Sequence, residues 1–256
     1  MARNTYHTSP NARKNDGDTT AYKIMGAVVL LAVSIFLMRL VANNYGTING
    51  ADTIAAASKL TAIVFGVLAA ASLAVLLTVK HGWLRRVSPY VLAVSVLYAF
   101  TGLMLWRWWT TYVSMLTFLH VAVYCLYIVY MLYQMEFFFV SLVTIVSGGT
   151  FLRYSRGIGA NFPCIALAVL LLGMIAFAAY AASNAAKNKG VLVLGTKRLR
   201  LFPAKFNPLA LYITCAVWAA CFAACLVFGA AFAYYCMFAA VVFELAAAVY
   251  YTFQLK

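Results

Sequence analysis

The sequence contains very little charge. Only 9% of its 256 residues are Asp, Glu, Lys or Arg, whereas roughly a quarter of the residues of a soluble domain are charged. Hydrophobic residues make up 66% of the chain, and the mean hydropathy is +0.93. This composition excludes a water-soluble core and indicates a protein that lies in a bilayer.

Acidic residues are the scarcest charged group. The chain has five of them, and Asp16, Asp18 and Asp52 fall in polar tail or loop segments. Metal-dependent phosphoryl or prenyl chemistry therefore lacks its usual carboxylate ligands. The Walker A, GxSxG and HExxH patterns are also absent. The sequence predicts no catalytic residue and no cofactor, and it favours a role that is not enzymatic.

Cysteine and histidine give no metal signature. The six cysteines form no CxxC pair and lie within or at the start of apolar segments, as small core residues do. There are three histidines, and none has a second histidine or a carboxylate at helical spacing. We therefore predict neither a disulfide framework nor a metal site.

Eight apolar stretches alternate with short polar joints, and residues 1–22 are polar without apolar periodicity, which predicts a disordered tail. About 20 apolar residues cross a hydrocarbon layer of about 30 Å, where the backbone must pair its own polar groups, so each stretch is expected to be a helix. The predicted fold class is all-α, a single transmembrane helical domain over 23–256. The predicted spans are 23–42, 59–79, 88–106, 112–133, 136–152, 163–183, 208–228 and 231–253.

The stretch 112–152 is apolar almost throughout, and whether it crosses the membrane once or twice decides the number of spans. With two spans there and the N-terminus inside, 14 of the 19 basic residues lie on the cytoplasmic side, whereas a single span leaves nine. The bias of Lys and Arg towards the cytoplasm favours eight spans with both termini cytoplasmic. No glycosylation sequon occurs, and we take the bacterial plasma membrane as the default location.

Net charge is +14, but it is spread over short loops, where it sets orientation, so it argues against nucleic-acid binding. The loop 184–207 holds six basic and no acidic residues. Topogenic charge alone explains such a loop. The alternative is that it lies along anionic inner-leaflet lipids with apolar side chains dipping in, or docks a partner. The candidate binding residues are Lys197, Arg198, Arg200 and Lys205.

A few polar residues fall inside predicted spans. Glu244 lies in the last span, where an ionised carboxylate is costly, so it is a functional candidate or a protonated group that hydrogen-bonds a neighbouring helix. His120 and Tyr124 share one face of the fourth span and are candidates for a polar path with Glu244. The alternative for His120 is an interior hydrogen bond of purely structural value.

Small residues are common in spans six to eight, where Ala216, Ala220 and Ala224 recur every four positions. Small faces let helices approach closely, so these spans are expected to form the packed centre or a contact with a second copy or another membrane protein. Two functions remain open. The first is an accessory or scaffold subunit that acts through helix contacts and the basic loop, and the second is a carrier or channel for a solute, ion or lipid that uses Glu244 and His120.

Overall fold

The chain is mostly helical. The computed structural model describes residues 10–44, 47–79, 81–108, 112–157, 162–188, 190–194, 197–202 and 207–254. Within them, eight helices are long and apolar enough to cross a membrane. The elements are α1 (Pro10–Asn44), α2 (Ile48–Thr78), α3 (Trp83–Trp108), α4 (Val113–Leu132), α5 (Met135–Tyr154), α6 (Phe162–Lys187), β1 (Val191–Leu194), β2 (Lys197–Arg200), α7 (Leu209–Phe228) and α8 (Ala230–Gln254).

The long apolar stretch contains two helices, as the charge bias predicted. α4 ends at Leu132, and Gln134 has extended backbone angles and precedes the first residue of α5, Met135. Glu136 lies in the first turn of α5, where a negative side chain is favoured by the helix dipole. Gln134 and Glu136 therefore mark the helix boundary.

Two helices begin well before the predicted spans. α1 starts at Pro10, and the first part of the predicted tail, 1–9, lies outside the described residues. α2 starts at Ile48 and not near residue 59, and the Thr53 hydroxyl donates to the backbone oxygen of Asn49 within it. Hydropathy locates the apolar part of a helix, while polar residues extend the helix beyond it.

Two compact units divide the chain. The first comprises Ala122–Lys256 with the chain up to Val28, and the second comprises Val29–Val121. We describe each unit by itself.

In the second unit, α2 and α3 form a closely packed pair. The Ser88 hydroxyl donates to the backbone oxygen of Ser72 at 2.6 Å. Arg85 donates to the carbonyls of Leu76 and Val79, each at 2.8 Å, and so caps the end of α2. Further along, buried Gly102 lets the two backbones come close.

In the first unit, α5 is the central helix. Of its most apolar window, 67% is buried, against at most 33% for α6, α7 and α8. Trp218 of α7 is fully buried and donates its indole N–H to the Thr144 hydroxyl of α5 at 3.1 Å. It also packs against Phe151 and Phe243. The short fifth span is therefore the helix around which α6, α7 and α8 pack.

Spans six to eight contribute buried small residues to the core of the first unit, but the most buried of its helices is α5. α6 does bury small residues, including Ala178 and Ala182, but they surround α5. Ala216 and Ala220 of α7 are exposed, so the four-residue alanine repeat faces away from the interior of the unit. Spacing alone does not distinguish a face that packs inward from one that faces outward. A contact of that face with a second copy stays a prediction.

A two-stranded antiparallel hairpin follows α6, and the all-α prediction did not include it. Val191 pairs with Arg200, and Val193 pairs with Arg198. The residues between the strands, Gly195 and Thr196, lie outside the described residues, but Gly at the first position of a two-residue connection is a sequence signal for a hairpin turn. That signal was available in the sequence.

Candidate functional site

The hairpin is held on the end of α6 by one side chain, the amide of Asn184. Its Nδ2 donates to the backbone oxygen of Val193 at 2.9 Å, and its Oδ1 accepts from the backbone N–H of Val193 at 3.2 Å. An amide can replace a neighbouring strand in this way because it offers one donor and one acceptor side by side. Asn184 therefore satisfies the outward-facing backbone groups of β1.

The same amide is saturated by further bonds within α6. Its Nδ2 also donates to the Tyr180 hydroxyl at 3.1 Å, and its Oδ1 accepts from Nδ2 of Asn188 at 2.8 Å. Asn188 also donates to the backbone oxygen of Asn184. These bonds fix the orientation of the Asn184 amide before it meets the strand.

The two bonds between Asn184 and Val193 form the Asn184 clamp. A tight turn at the end of α6 leads the chain from Asn184 to β1. Gly190 has a φ of +86° and donates its N–H to the backbone oxygen of Ala185 at 2.8 Å. This bond spans six residues, as in the glycine-dependent motif that commonly ends helices. The backbone oxygen of Gly190 then accepts from the N–H of Phe202 at 3.1 Å. The entry and exit of the hairpin are therefore tied together.

Two apolar side chains anchor the hairpin in the core of the first unit. Leu192 is 1% exposed and Phe202 is 2% exposed, and the ring of Phe202 packs on Phe139 of α5 with centroids 5.4 Å apart. The expectation that the apolar residues of this loop dip into lipid is corrected for these two, because they pack into the protein. Leu199 is 47% exposed and remains available to the surroundings.

An open pocket of about 710 Å³ lies between the end of α6 and β1. Val191 and Val193 line one side of it. The other side is a single helix face, since its positions recur at three- and four-residue spacing: Tyr180, Ser183, Asn184, Lys187 and Asn188. Its size is within the range of small-molecule sites.

Three of the four predicted binding residues belong to β2, the strand that pairs with the pocket-lining strand β1. Arg198 and Arg200 are the cross-strand partners of Val193 and Val191, which line it. Lys197 belongs to the same strand, and Lys205 lies outside the described residues. Sequence reasoning identified the basic loop but missed Asn184 and the polar face of α6, because an Asn near a helix end is common and its partner lies nine residues away.

Glu244 belongs to α8 in the first unit, and its Oε2 is buried without a hydrogen-bond partner among the described residues. Ser141 of α5 is its polar neighbour, and the Cys125 thiol of α4 also lies within electrostatic reach. The hydroxyl of Ser141 is likewise buried without a hydrogen-bond partner among the described residues. Two unpaired oxygen atoms therefore face the same small region between helices.

His120 belongs to the second unit and is fully buried. Its Nδ1 lies 2.9 Å from the backbone oxygen of Leu116, and a carbonyl only accepts, so Nδ1 carries the proton. The imidazole ring packs edge-on against Tyr98, whose hydroxyl bonds the Ser34 hydroxyl at 2.5 Å. Nε2 has no partner among the residues that the structure describes.

The structure places the three intramembrane candidates in different surroundings. Tyr124 is buried and belongs to the first unit with Glu244, whereas His120 belongs to the second. The cavity predicted for Glu244 and His120 together therefore stays a prediction.

A buried polar pair was missed by sequence reasoning. Glu136 is 8% exposed, and its Oε1 accepts from the Tyr251 hydroxyl at 2.7 Å, which links α5 to α8. Next to it, the hydroxyls of Tyr133 and Thr252 bond at 2.9 Å. The polarity of the α4–α5 joint had explained Glu136 as a turn residue, and no local pattern pointed to a partner 115 residues away.

Comparison with known proteins adds no functional assignment: no family model, no curated protein and no solved structure matches the chain. Among the described residues, no group of three or more His, Cys, Asp or Glu side chains is arranged to hold a metal ion. The arguments for function therefore rest on the geometry of the chain itself.

Proposed function

We propose that this chain is a non-enzymatic accessory or scaffold protein of the plasma membrane, with eight spans, both termini in the cytoplasm and the hairpin as its contact surface. The observation that carries the proposal is the Asn184 clamp. A loop that only sets orientation needs charge but no fixed shape. This loop is instead fixed at one place by hydrogen bonds to Val193 and by the buried side chains of Leu192 and Phe202.

A basic segment on a fixed backbone is suited to recognition because its strand positions are set before a partner arrives. Positive residues steer association and select partners of opposite charge. The chain between Glu136 and Glu244 contains no acidic residue, so no carboxylate in that stretch neutralises the hairpin. The partner surface is therefore expected to be acidic.

Neutralising the hairpin is expected to abolish the partner contact. We expect the combined substitution Lys197→Gln, Arg198→Gln and Arg200→Gln to remove a complex that the wild-type protein forms in native membranes. The measurement is crosslinking in membranes, followed by purification in mild detergent and size-exclusion chromatography.

The matched control is Arg13→Gln, Lys14→Gln and Lys23→Gln, which removes three cations from the same predicted side. This control is expected to keep the complex. A wild-type protein that is only monomeric and uncrosslinked would contradict the proposal. A reporter fused within 184–207 that proves external would contradict it as well.

A carrier is the second candidate function, and Glu244 is the observation that favours it. A buried carboxyl oxygen and a buried hydroxyl, both without partners, sit inside a span, where such groups are expensive and frequently belong to ion or proton pathways. The alternative is that the carboxyl only packs against Ser141.

Glu244→Gln separates these two roles. Under the scaffold proposal we expect Gln to leave the thermal unfolding midpoint unchanged, and Glu244→Leu to leave it unchanged or raise it, because an apolar group replaces a buried oxygen that makes no hydrogen bond to the residues that the structure describes. Proton flux is measured in proteoliposomes that contain a pH-sensitive dye. Flux through the wild-type protein that disappears in Glu244→Gln, but persists in Ser141→Ala, would favour the carrier.

A further inference from the structure

The pocket between α6 and β1 offers hydrogen-bond donors and few acceptors. Both groups of the Asn184 amide are occupied, since Oδ1 accepts two bonds and Nδ2 donates two. The Tyr180 hydroxyl accepts from Asn184, so its own proton is directed elsewhere. The Ser183 hydroxyl and the Lys187 ammonium group line the same face. What remains to meet a ligand is two hydroxyl protons, one cation and a single amide oxygen, that of Asn188.

The charge around the pocket is positive. No carboxylate lines it, and the basic residues Arg198 and Arg200 are paired with its lining residues in the hairpin register. The end of α6 contributes a partial negative charge of about half a unit. Its last carbonyls, however, accept hydrogen bonds from Asn188 and Gly190. The full positive charge of Lys187 outweighs that half charge, so the pocket selects an anion.

The location of the pocket favours a phosphate that belongs to a lipid. α6 is long and apolar enough to cross a membrane and ends at Lys187, so we expect Lys187 to lie near the headgroups. Tyr180, which precedes Lys187 on the same helix, is 51% exposed, as expected of an aromatic residue at a membrane interface.

We propose that this pocket binds the phosphate group of an anionic lipid, with Lys187, Ser183 and the Tyr180 hydroxyl as donors. This inference rests on the proposed function in taking the hairpin as the contact surface, and it names the chemistry of one partner. Phosphate suits the site because its oxygens accept several bonds from donors of different kinds at once. The lipid then holds the hairpin against the membrane surface.

Lipid binding to the purified, delipidated protein tests the proposal. Native mass spectrometry compares phosphatidic acid, phosphatidylglycerol and phosphatidylcholine at equal concentration. We expect the two anionic lipids to bind about tenfold more tightly than phosphatidylcholine, and the difference to shrink as salt rises. Equal binding of all three lipids would overturn the proposal.

Variants place the binding in the pocket. Lys187→Gln is expected to weaken binding of phosphatidic acid about tenfold, the loss typical of a charge-assisted hydrogen bond, and Lys187→Arg is expected to restore most of it. Arg156→Gln, an exposed cation at the end of α5, is the matched control and should bind as the wild type does. If Lys187→Gln and Arg156→Gln weaken lipid binding equally, binding depends only on the net charge of the protein, which contradicts a specific site in the pocket.

Competition distinguishes the sources of the anion. Inorganic phosphate or glycerol 3-phosphate at millimolar concentration should displace little lipid, whereas full displacement would assign the site to a free phosphate and overturn the lipid source. A polyglutamate peptide that competes as well as phosphatidic acid would assign the pocket to an acidic protein instead. If lipid binding fails while the neutralised hairpin still loses its crosslinked complex, this inference falls and the proposed function stands.

Discussion

Replacing Gly102 with alanine is expected to destabilise the second unit by about 2 kcal/mol. A methyl group at Gly102 would lie 2.7 Å from the backbone nitrogen of Ala62 and 2.8 Å from the backbone oxygen of Ser58. Neither atom is at the end of a flexible side chain, so α2 and α3 must move apart. Overpacking of this kind costs about 1–3 kcal/mol, and it exceeds the gain of up to about 1 kcal/mol that alanine brings to a helix.

Gly66→Ala is the matched control, since Gly66 lies on the same helix pair and a methyl group there meets nothing within 4 Å. We expect this variant to keep the wild-type midpoint or to raise it. The measurement is thermal unfolding of both variants in the same detergent. An unchanged midpoint in Gly102→Ala would show that α2 and α3 are not packed as described.

Replacing Asn184 with alanine is expected to release the hairpin from α6. The substitution removes both bonds to Val193 and leaves a partly buried backbone N–H and carbonyl without partners. Such a loss costs about 1–3 kcal/mol for each buried group left unpaired. Hydrogen exchange of the segment 191–194, followed by mass spectrometry, is therefore expected to accelerate by about tenfold or more.

Asn188→Ala provides the comparison, because the Asn188 side chain donates only to Asn184 and orients its amide, while the bond from the Val191 N–H to the backbone oxygen of Asn188 is kept in this variant. We expect a smaller acceleration in this variant, and none in the segments of α7 and α8 in either variant. Equal protection of 191–194 in Asn184→Ala and in the wild type would mean that Leu192 and Phe202 hold the hairpin without the clamp. The scaffold proposal would then lose the observation that carries it.

Features that depend on neighbours along the chain were predicted well. The apolar stretches predicted eight helices, and the charge bias correctly divided the long stretch 112–152 into two. The starts of α1 and α2 were missed, because polar residues add helical turns without adding hydropathy. The hairpin was missed although Gly195 and Thr196 between two alternating segments are a turn signal.

Contacts between distant residues were not predictable in the same way. The partner of Glu136 is Tyr251, the partner of Trp218 is Thr144, and the partner of Asn184 is the backbone of Val193. Nothing in the residue types selects these partners, because many Tyr, Thr and Val residues are equally suitable. The helix packing selects among them.

By itself the sequence determined that this protein lies in a bilayer, how many long helices it has and where its basic loop falls. Each follows from the cost of leaving backbone groups or charges in hydrocarbon, which depends on local composition. Only the tertiary structure decided that α5 lies at the centre of the first unit, that the alanine repeat of α7 faces outward and that the loop is a fixed hairpin beside a polar pocket. Those features depend on which helix faces meet, and several arrangements bury comparable apolar surface, so composition does not choose between them.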